Sequence, residues 1–434
     1  MKLLQKIILN DGEIMQMPLD TVIKEEDPRR LGRGTDRIEI LGRVKQNVLG
    51  FGGAFTESAA LNYALLAPKE KKKAMEYLFG ESGLHYNFCR VCIGASDFAR
   101  DSYHYIADGD AELVTFNISR DRETVIPMIR DAQAYSEQPL FLLASPWTPP
   151  AWMKEGGLPN KGRLLPQYYR TWARYFCRFI EEYEKEGVLI SAVTPQNEPG
   201  AHRWEGCEYT QEELTAFIEV LAEELSHYPR RIEILCWDFN RGGMFEHAAS
   251  VYNALGERVW GAAFHWYNGV HEGELQALHD AWPQKVLVES EFCHGLSARM
   301  YGKYRTEVLD VLNNWTNAVC EWNILLDTEG GPYHNRDIGC NSPLYRNGDQ
   351  VFCRGVYHQM YMFAHYIRPG ACVLFSSSAY RSVRTLAVRN PDGEVLFYAY
   401  NDSLHDENCT ITWNEYRIPV SVPRGALLLW IMKE

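Results

Sequence analysis

The chain of 434 residues is too long for one compact core of ordinary size and suits one barrel with an appended domain. Its net charge of −13 argues against nucleic acid and anionic membrane surfaces as partners, since both need basic patches. Apolar residues at 46% and charged residues at 23% are ordinary for a globular enzyme, and no segment approaches a membrane span.

The first ten residues hold no apolar run long enough for a signal peptide, so a cytoplasmic protein is expected. The 11 Cys, many inside apolar runs, fit buried thiols in a reducing compartment. Lys6 to Gly12 suggests a strand and a turn, and Arg37 to Ile40 alternates like a half-exposed strand. Residues 1–45 are therefore expected to be N-terminal strands that seek a sheet to join.

From residue 46 strands and helices alternate. Val48 to Phe51 is a strand, followed by a glycine-rich turn and a helix over 68–79. Tyr86 to Cys92 is a strand, followed by a long polar loop and a helix near 121–137. Leu140 to Ala144 is a strand, and 167–186 is a helix with Trp172, Tyr175, Phe176, Phe179, Ile180 and Tyr183 on one face. The strand Leu189 to Val193 precedes a helix over 212–225. The strands Ile232 to Trp237, Val259 to Trp266, Lys285 to Ser290 and Val319 to Leu326 precede helices over 243–255, 273–281, 303–314 and 351–365. Eight such pairs predict an α/β fold: a closed (β/α)8 TIM barrel over 46–368. After Pro369 short alternating runs separated by turn residues predict an antiparallel β-sandwich domain over 369–434, joined by the N-terminal strands.

In such a barrel the C-terminal strand ends face one mouth. They carry Arg90, Asp97 just beyond, Trp147, Asn197 and Glu198, Trp237 and Asp238, His265 and Tyr267, Glu291, and Trp322. No Ser-His-Asp arrangement, clustered-His metal pattern or phosphate-binding glycine loop appears, so neither a metal nor a cofactor is expected. The cluster Gly50-Phe51-Gly52-Gly53 is expected to form a tight turn beside the site.

Two carboxylates on facing strands, with aromatic platforms, suit glycoside cleavage. Glu198 lies where strand four meets Pro199. On strand seven Glu289 and Glu291 point to the same side, and Glu291 lies nearer the mouth, so it is the better candidate. Glu289, one layer deeper, would need a partner such as Arg90. A lone His265 suits a structural hydrogen-bonder.

Several motifs carry a resemblance. They are Gly50-Phe51-Gly52-Gly53-Ala54-Phe55-Thr56, Arg90-Val91 with Ser96-Asp97-Phe98, and Ala144-Ser145-Pro146-Trp147-Thr148-Pro149-Pro150-Ala151-Trp152. They continue as Gln196-Asn197-Glu198-Pro199, His265-Trp266-Tyr267, Ser290-Glu291-Phe292-Cys293, and Trp322-Asn323 with Glu329-Gly330-Gly331-Pro332. The chain resembles glycoside hydrolase family 30, in its glucosylceramidase (acid β-glucosidase) branch, along nearly the whole barrel. That resemblance implies a retaining enzyme with Glu198 as acid/base and Glu291 as nucleophile. It implies that Asn197 bonds the sugar 2-hydroxyl, that Tyr267 bonds the nucleophile and that Arg90 supports it. It implies that Asp97, Trp147 and Trp322 hold the terminal sugar. The expected substrate is a small glycoside or oligosaccharide, with a β-glucoside or glucosylceramide-like molecule leading. β-Xylosides, β-fucosides and β-1,6-glucan are alternatives within the family. Glu321 stands where these relatives carry Asp, Glu289 where they carry a small residue, and residues 1–45 lack the Cys of the lysosomal N-terminal disulfides. Two other readings are a silent sugar-binding protein, which would lose one carboxylate, and a metal-dependent barrel hydrolase, which would show clustered His.

Overall fold

The structure, a computed structural model, describes residues 1–10, 12–25, 37–201, 204–269, 272–296, 302–336 and 339–433. The expected turn at 11–12 and the stretch 26–36 within the N-terminal strands lie partly or wholly outside these residues.

The chain begins with β1 (Lys2–Asn10), β2 (Glu13–Gln16), β3 (Ile23–Lys24) and β4 (Arg37–Asn47). The barrel strands follow: β5 (Gly50–Phe55), β6 (Phe88–Ile93), β7 (Phe141–Pro146), β8 (Ile190–Val193), β9 (Glu233–Asn240), β10 (Gly261–His265), β11 (Val286–Glu291) and β12 (Ala318–Asn323). All eight pair in parallel and close into a barrel. Between them run α1 (Glu57–Ala64), α2 (Pro68–Phe79), α3 (Ser119–Glu123), α4 (Val125–Tyr135), α5 (Tyr169–Lys185), α6 (Gln211–Ser226), α7 (Met244–Leu255), α8 (Glu272–Ala281) and α9 (Gly302–Asn313).

Local chemistry sets the helix ends. Pro68 opens α2 at its first turn, where a missing N–H costs nothing. A capping box opens α6: Thr210 and Glu213 each bond the other's backbone N–H. The aromatic face expected on α5 is buried at all six positions. The polar loop before α3 is anchored on the buried Asp121, which accepts from the hydroxyls of Tyr103 (2.9 Å), Tyr105 (2.5 Å) and Tyr183 (2.7 Å). α1 was not expected. Its Thr56 N-cap accepts from the Ala59 N–H at 3.0 Å.

Two expectations are overturned. Gly50 to Gly53 form the first barrel strand rather than a turn. A Cβ on Gly52 would sit 1.8 Å from the Phe88 carbonyl oxygen, and one on Gly53 2.5 Å from Ile324. The glycines therefore allow close approach inside the barrel. The expected helix over 351–365 begins instead at α10 (Gly355–Ala364). Before it, β13 (Leu325–Asp327), β14 (Leu344–Asn347) and β15 (Gln350–Cys353) form a small sheet. Asn347 pairs with Gln350, so Gly348 and Asp349 make a two-residue hairpin loop with Gly348 at φ +62°. That turn signal outranks the helical spacing around it.

The chain ends supply a second sheet with β16 (Cys372–Ser378), β17 (Val383–Arg389), β18 (Val395–Asn401), β19 (Glu407–Trp413), β20 (Tyr416–Val422) and β21 (Leu427–Lys433). Its ten strands run in the order β2-β1-β21-β18-β17-β16-β4-β19-β20-β3. Its pairs are antiparallel except β4 with β19. A core including Leu3, Ile38, Phe397, Ile411, Trp413 and Trp430 holds it together. This matches the sandwich expected from both chain ends. By contact the chain divides into one compact unit of 1–50, 298–317 and 355–434, and another of 51–297 and 318–354. No helix among the described residues is long and apolar enough to cross a membrane.

Candidate active site

The site is built around Arg90 on β6, which is fully buried. Its Nε donates to Ser145 Oγ at 3.1 Å and its Nη1 to Glu291 Oε2 at 2.6 Å. Its Nη2 donates to Asn197 Oδ1 at 2.8 Å and to Asp238 Oδ2 at 2.7 Å. Asp238 is also fully buried. It accepts from Thr194 Oγ1 and Ser290 Oγ, both at 2.6 Å, and from His265 Nε2 at 3.1 Å. His265 Nδ1 lies 3.1 Å from Glu198 Oε1. One buried line of alternating charge, Glu291–Arg90–Asp238–His265–Glu198, thus joins the two glutamates.

The backbone aims these groups. Between β9 and β10 the register slips, so that Ala263 faces Trp237 but Phe264 faces Phe239. Asp238 is the extra residue of this bulge, and a bulge re-aims a side chain. Trp237 and Asp238 take φ of +76° and +74°, and Glu198 takes +45°. Such backbone costs on the order of 1–3 kcal/mol per residue, and it persists where surroundings over-determine it. Here the Glu198 N–H donates to the Asp238 carbonyl at 2.9 Å.

Electrostatics follow from this line. Burial opposes the charge on Arg90, but Asp238 and Glu291 hold the guanidinium above its ordinary value. Burial likewise opposes the charge on Asp238, yet Arg90, then His265 and Ser290, keep it well below the usual carboxylate range. Burial disfavours the imidazolium, but Glu291, Asp238 and Glu198 push His265 up to about 9. At neutral pH His265 is therefore a cation that donates from both nitrogens. Burial raises Glu198, helped by the charge of Glu291 and opposed by His265 and Arg90.

Oxygens of Glu198 and Glu291 lie within 4.8 Å of each other. Tyr267, 42% exposed, donates its hydroxyl to Glu291 Oε1 at 3.0 Å. Trp147 and Trp322 stack at 5.1 Å between centroids, and the Arg90 guanidinium lies over both. Phe98 meets Trp322 edge-on. Asp97 is paired with Arg336 at 2.5 Å. Burial raises Asp97 to about 7 against the pull of Arg336, and the charges of Glu291 and Glu198 add to the rise.

All eight residues singled out in the sequence therefore converge: Arg90, Glu198 and Glu291 on the charge line, Asn197 and Tyr267 hydrogen-bonded to it, Trp147 and Trp322 beside it, Asp97 within reach of both glutamate charges. Arg90 does not pair with Glu289; its bonds run to Ser145, Glu291, Asn197 and Asp238. His265 does more than brace the fold, since it touches Glu198. Asp238 was visible only as a rim position and Ser290, which helps orient it, only as part of a motif; Thr194, which also orients it, and Arg336 carried no sequence signal. Glu198, His265 and Glu291 are close enough to share a cation. However, both His265 nitrogens serve carboxylates and Arg90 occupies Glu291, so this donor set does not fit a metal. What the arrangement can do is present one raised carboxyl and one Arg-paired carboxylate to the two sides of a bond.

Residues 48–367 match the glycosyl hydrolase family 30 TIM-barrel domain. The lysosomal acid glucosylceramidase of Mus musculus is 31% identical over 402 residues, covering 85% of this chain and 77% of that protein. An endo-1,6-beta-D-glucanase of Aspergillus fumigatus is 25% identical over 419 residues, covering 89% and 85%. The crystal structure of SrfJ from Salmonella typhimurium superposes with a TM-score of 0.91 at 27% identity, covering 99% of each chain.

Proposed function

The chain belongs to glycosyl hydrolase family 30, and from that premise we propose that it hydrolyses a terminal β-glycoside with retention of configuration. The observation that carries this reading is the approach of the Glu198 and Glu291 oxygens to within 4.8 Å. Retaining pairs stand about 5–5.5 Å apart, whereas inverting pairs need about 6.5–9.5 Å to admit a water.

In the proposed first step Glu198 gives its proton to the glycosidic oxygen as that bond to the anomeric carbon breaks. Glu291 attacks the same carbon and forms a glycosyl ester. In the second step Glu198 takes a proton from water, the hydroxide attacks the anomeric carbon, and Glu291 leaves as carboxylate. Arg90 and Tyr267 hydrogen-bond Glu291 and keep it aimed. His265 faces the anion that Glu198 becomes after giving up its proton. Asn197, its Oδ1 held by Arg90, turns its amide donors toward a sugar hydroxyl. Trp147, Trp322 and Asp97 shape the subsite for the terminal sugar.

A β-glucoside leads as substrate, in keeping with the glucosylceramidase relative. Cleavage of β-1,6-glucan is the second reading, favoured by the glucanase relative that spans most of this chain. The eleven cysteines, all free thiols here, support the proposal of a reducing cytoplasmic setting. The test is release of p-nitrophenol from β-glucoside, β-xyloside, β-fucoside and β-galactoside, beside digestion of β-1,6-glucan, with Glu291→Gln as control. Turnover of one substrate that the substitution abolishes supports the proposal. A folded protein inactive on all of them refutes it.

A further inference from the structure

Asp97 sits just beyond β6, buried, at a point where it feels the charges of both Glu198 and Glu291. A carboxylate so placed is costly unless a cation stands against it. Arg336 supplies that cation from the segment after β13, 2.5 Å from Asp97 Oδ2. The guanidinium itself sits over two rings: its centre lies 4.7 Å from the Phe98 ring centroid and 5.8 Å from that of Trp204. Phe98 packs in turn on Trp322.

The segment that carries Arg336 is stitched down through His334 and Tyr333. The His334 N–H donates to the Asp97 carbonyl at 2.9 Å. Its Nδ1 bonds the Ala99 carbonyl at 2.9 Å, and its Nε2 meets Glu205 Oε1 at 2.6 Å. Glu205 is buried and also accepts from Ser102. Tyr333 closes edge-on against Phe98. Segments after three different strands are thus locked together around one ion pair at the barrel mouth.

Resting on the glycosidase reading above, we propose that Arg336 is a specificity-determining positioning residue: it aims Asp97 and draws it toward the carboxylate form, so that Asp97 accepts a hydrogen bond from one hydroxyl of the terminal sugar. A neutral Asp97 would offer that hydroxyl a weaker acceptor, because hydrogen bonds to charged groups are the stronger ones. A sugar lacking that hydroxyl gains nothing from Arg336, since it leaves the buried pair without its substrate partner.

The test compares wild type, Arg336→Gln and Arg336→Lys on the preferred p-nitrophenyl β-glycoside and on its 2-, 3-, 4- and 6-deoxy analogues. With Arg336→Gln, kcat/KM on the parent sugar falls about 10- to 100-fold. On the one analogue without the Asp97-bound hydroxyl it falls less than about 3-fold, and Arg336→Lys recovers part of the loss on the parent. An equal loss on every substrate makes Arg336 merely structural and overturns the inference, as does no loss at all. If Arg336→Gln does not fold, Arg336→Lys carries the same comparison. Wild type inactive on the entire panel would instead remove the glycosidase reading, and this inference with it.

Discussion

Replacing Asp238 by Asn probes the charge line at its centre. Asp238 uses both oxygens as acceptors: Oδ2 for Arg90 and Thr194, Oδ1 for His265 and Ser290. An amide keeps only one acceptor. Hydroxyls can rotate and an imidazole can shed a proton, but Arg90 can do neither. The Asn oxygen must therefore face Arg90, and its NH2 must face His265 and Ser290. His265 then gives up its Nε2 proton to become the acceptor, and its titration falls from about 9 toward its ordinary value. Removing one partner of a buried ion pair costs about 3–5 kcal/mol. At about 1 °C per kcal/mol for a chain of 434 residues, the melting temperature should drop by roughly 3–5 °C.

The pH dependence of that gap has a defined shape. Asp238 has a depressed value when folded, so its contribution is present above about 4 and is lost as pH falls. His265 has a raised value, so its contribution is whole below about 6.5 and is lost as pH rises through about 9. The difference in melting temperature between wild type and variant should therefore be widest between about pH 4 and 6.5, and should narrow on both sides. The assay is NMR titration of the His265 ring in both proteins, beside thermal melts from pH 3.5 to 9.5. A His265 midpoint near 9 in both, or a pH-independent gap, refutes the reasoning.

Three further outcomes are expected. Burial raises Glu321 to about 8 against a hydrogen bond from Tyr86, so the folded chain keeps a proton that the unfolded chain loses near 4.5, and stability falls from about pH 4.5 until the folded group ionises near 8. Glu321→Gln should leave the melting temperature within about 2 °C at pH 4.5 and raise it increasingly above wild type from pH 6 to pH 9. Tyr267→Phe removes the 3.0 Å bond to Glu291 from a half-exposed ring, so kcat/KM should fall about 10- to 100-fold with the melting temperature unmoved. Gly52→Ala places a Cβ 1.8 Å from the Phe88 carbonyl oxygen and should cost more than about 3 kcal/mol, read as lost soluble yield or a melting temperature lower by about 3 °C or more.

Much of this was legible in the chain because barrel strands and helices alternate with different periods. The helix α5 shows it: its aromatic spacing names the buried face directly. Glu198 and Glu291 were legible because each closes an apolar strand, where a carboxylate needs a reason. What stayed hidden depends on pairing rather than spacing. The bulge that turns Asp238 inward is a register slip against β10, invisible in β9 alone. The strand nature of Gly50 to Gly53 depends on how closely Phe88 approaches. Arg336 lies in a loop with no period, and its role follows only from its neighbours in space.

Retention requires a covalent bond between Glu291 and the sugar. Incubation with a 2,4-dinitrophenyl 2-deoxy-2-fluoro-β-glycoside of the preferred sugar tests it most directly, because slow turnover of the intermediate lets it accumulate. A burst of one dinitrophenolate per chain, loss of activity, and a fluoroglycosyl adduct mapped to the peptide at Glu291 are expected. No burst, with the first sugar released from a good substrate carrying inverted anomeric configuration by NMR, would contradict it.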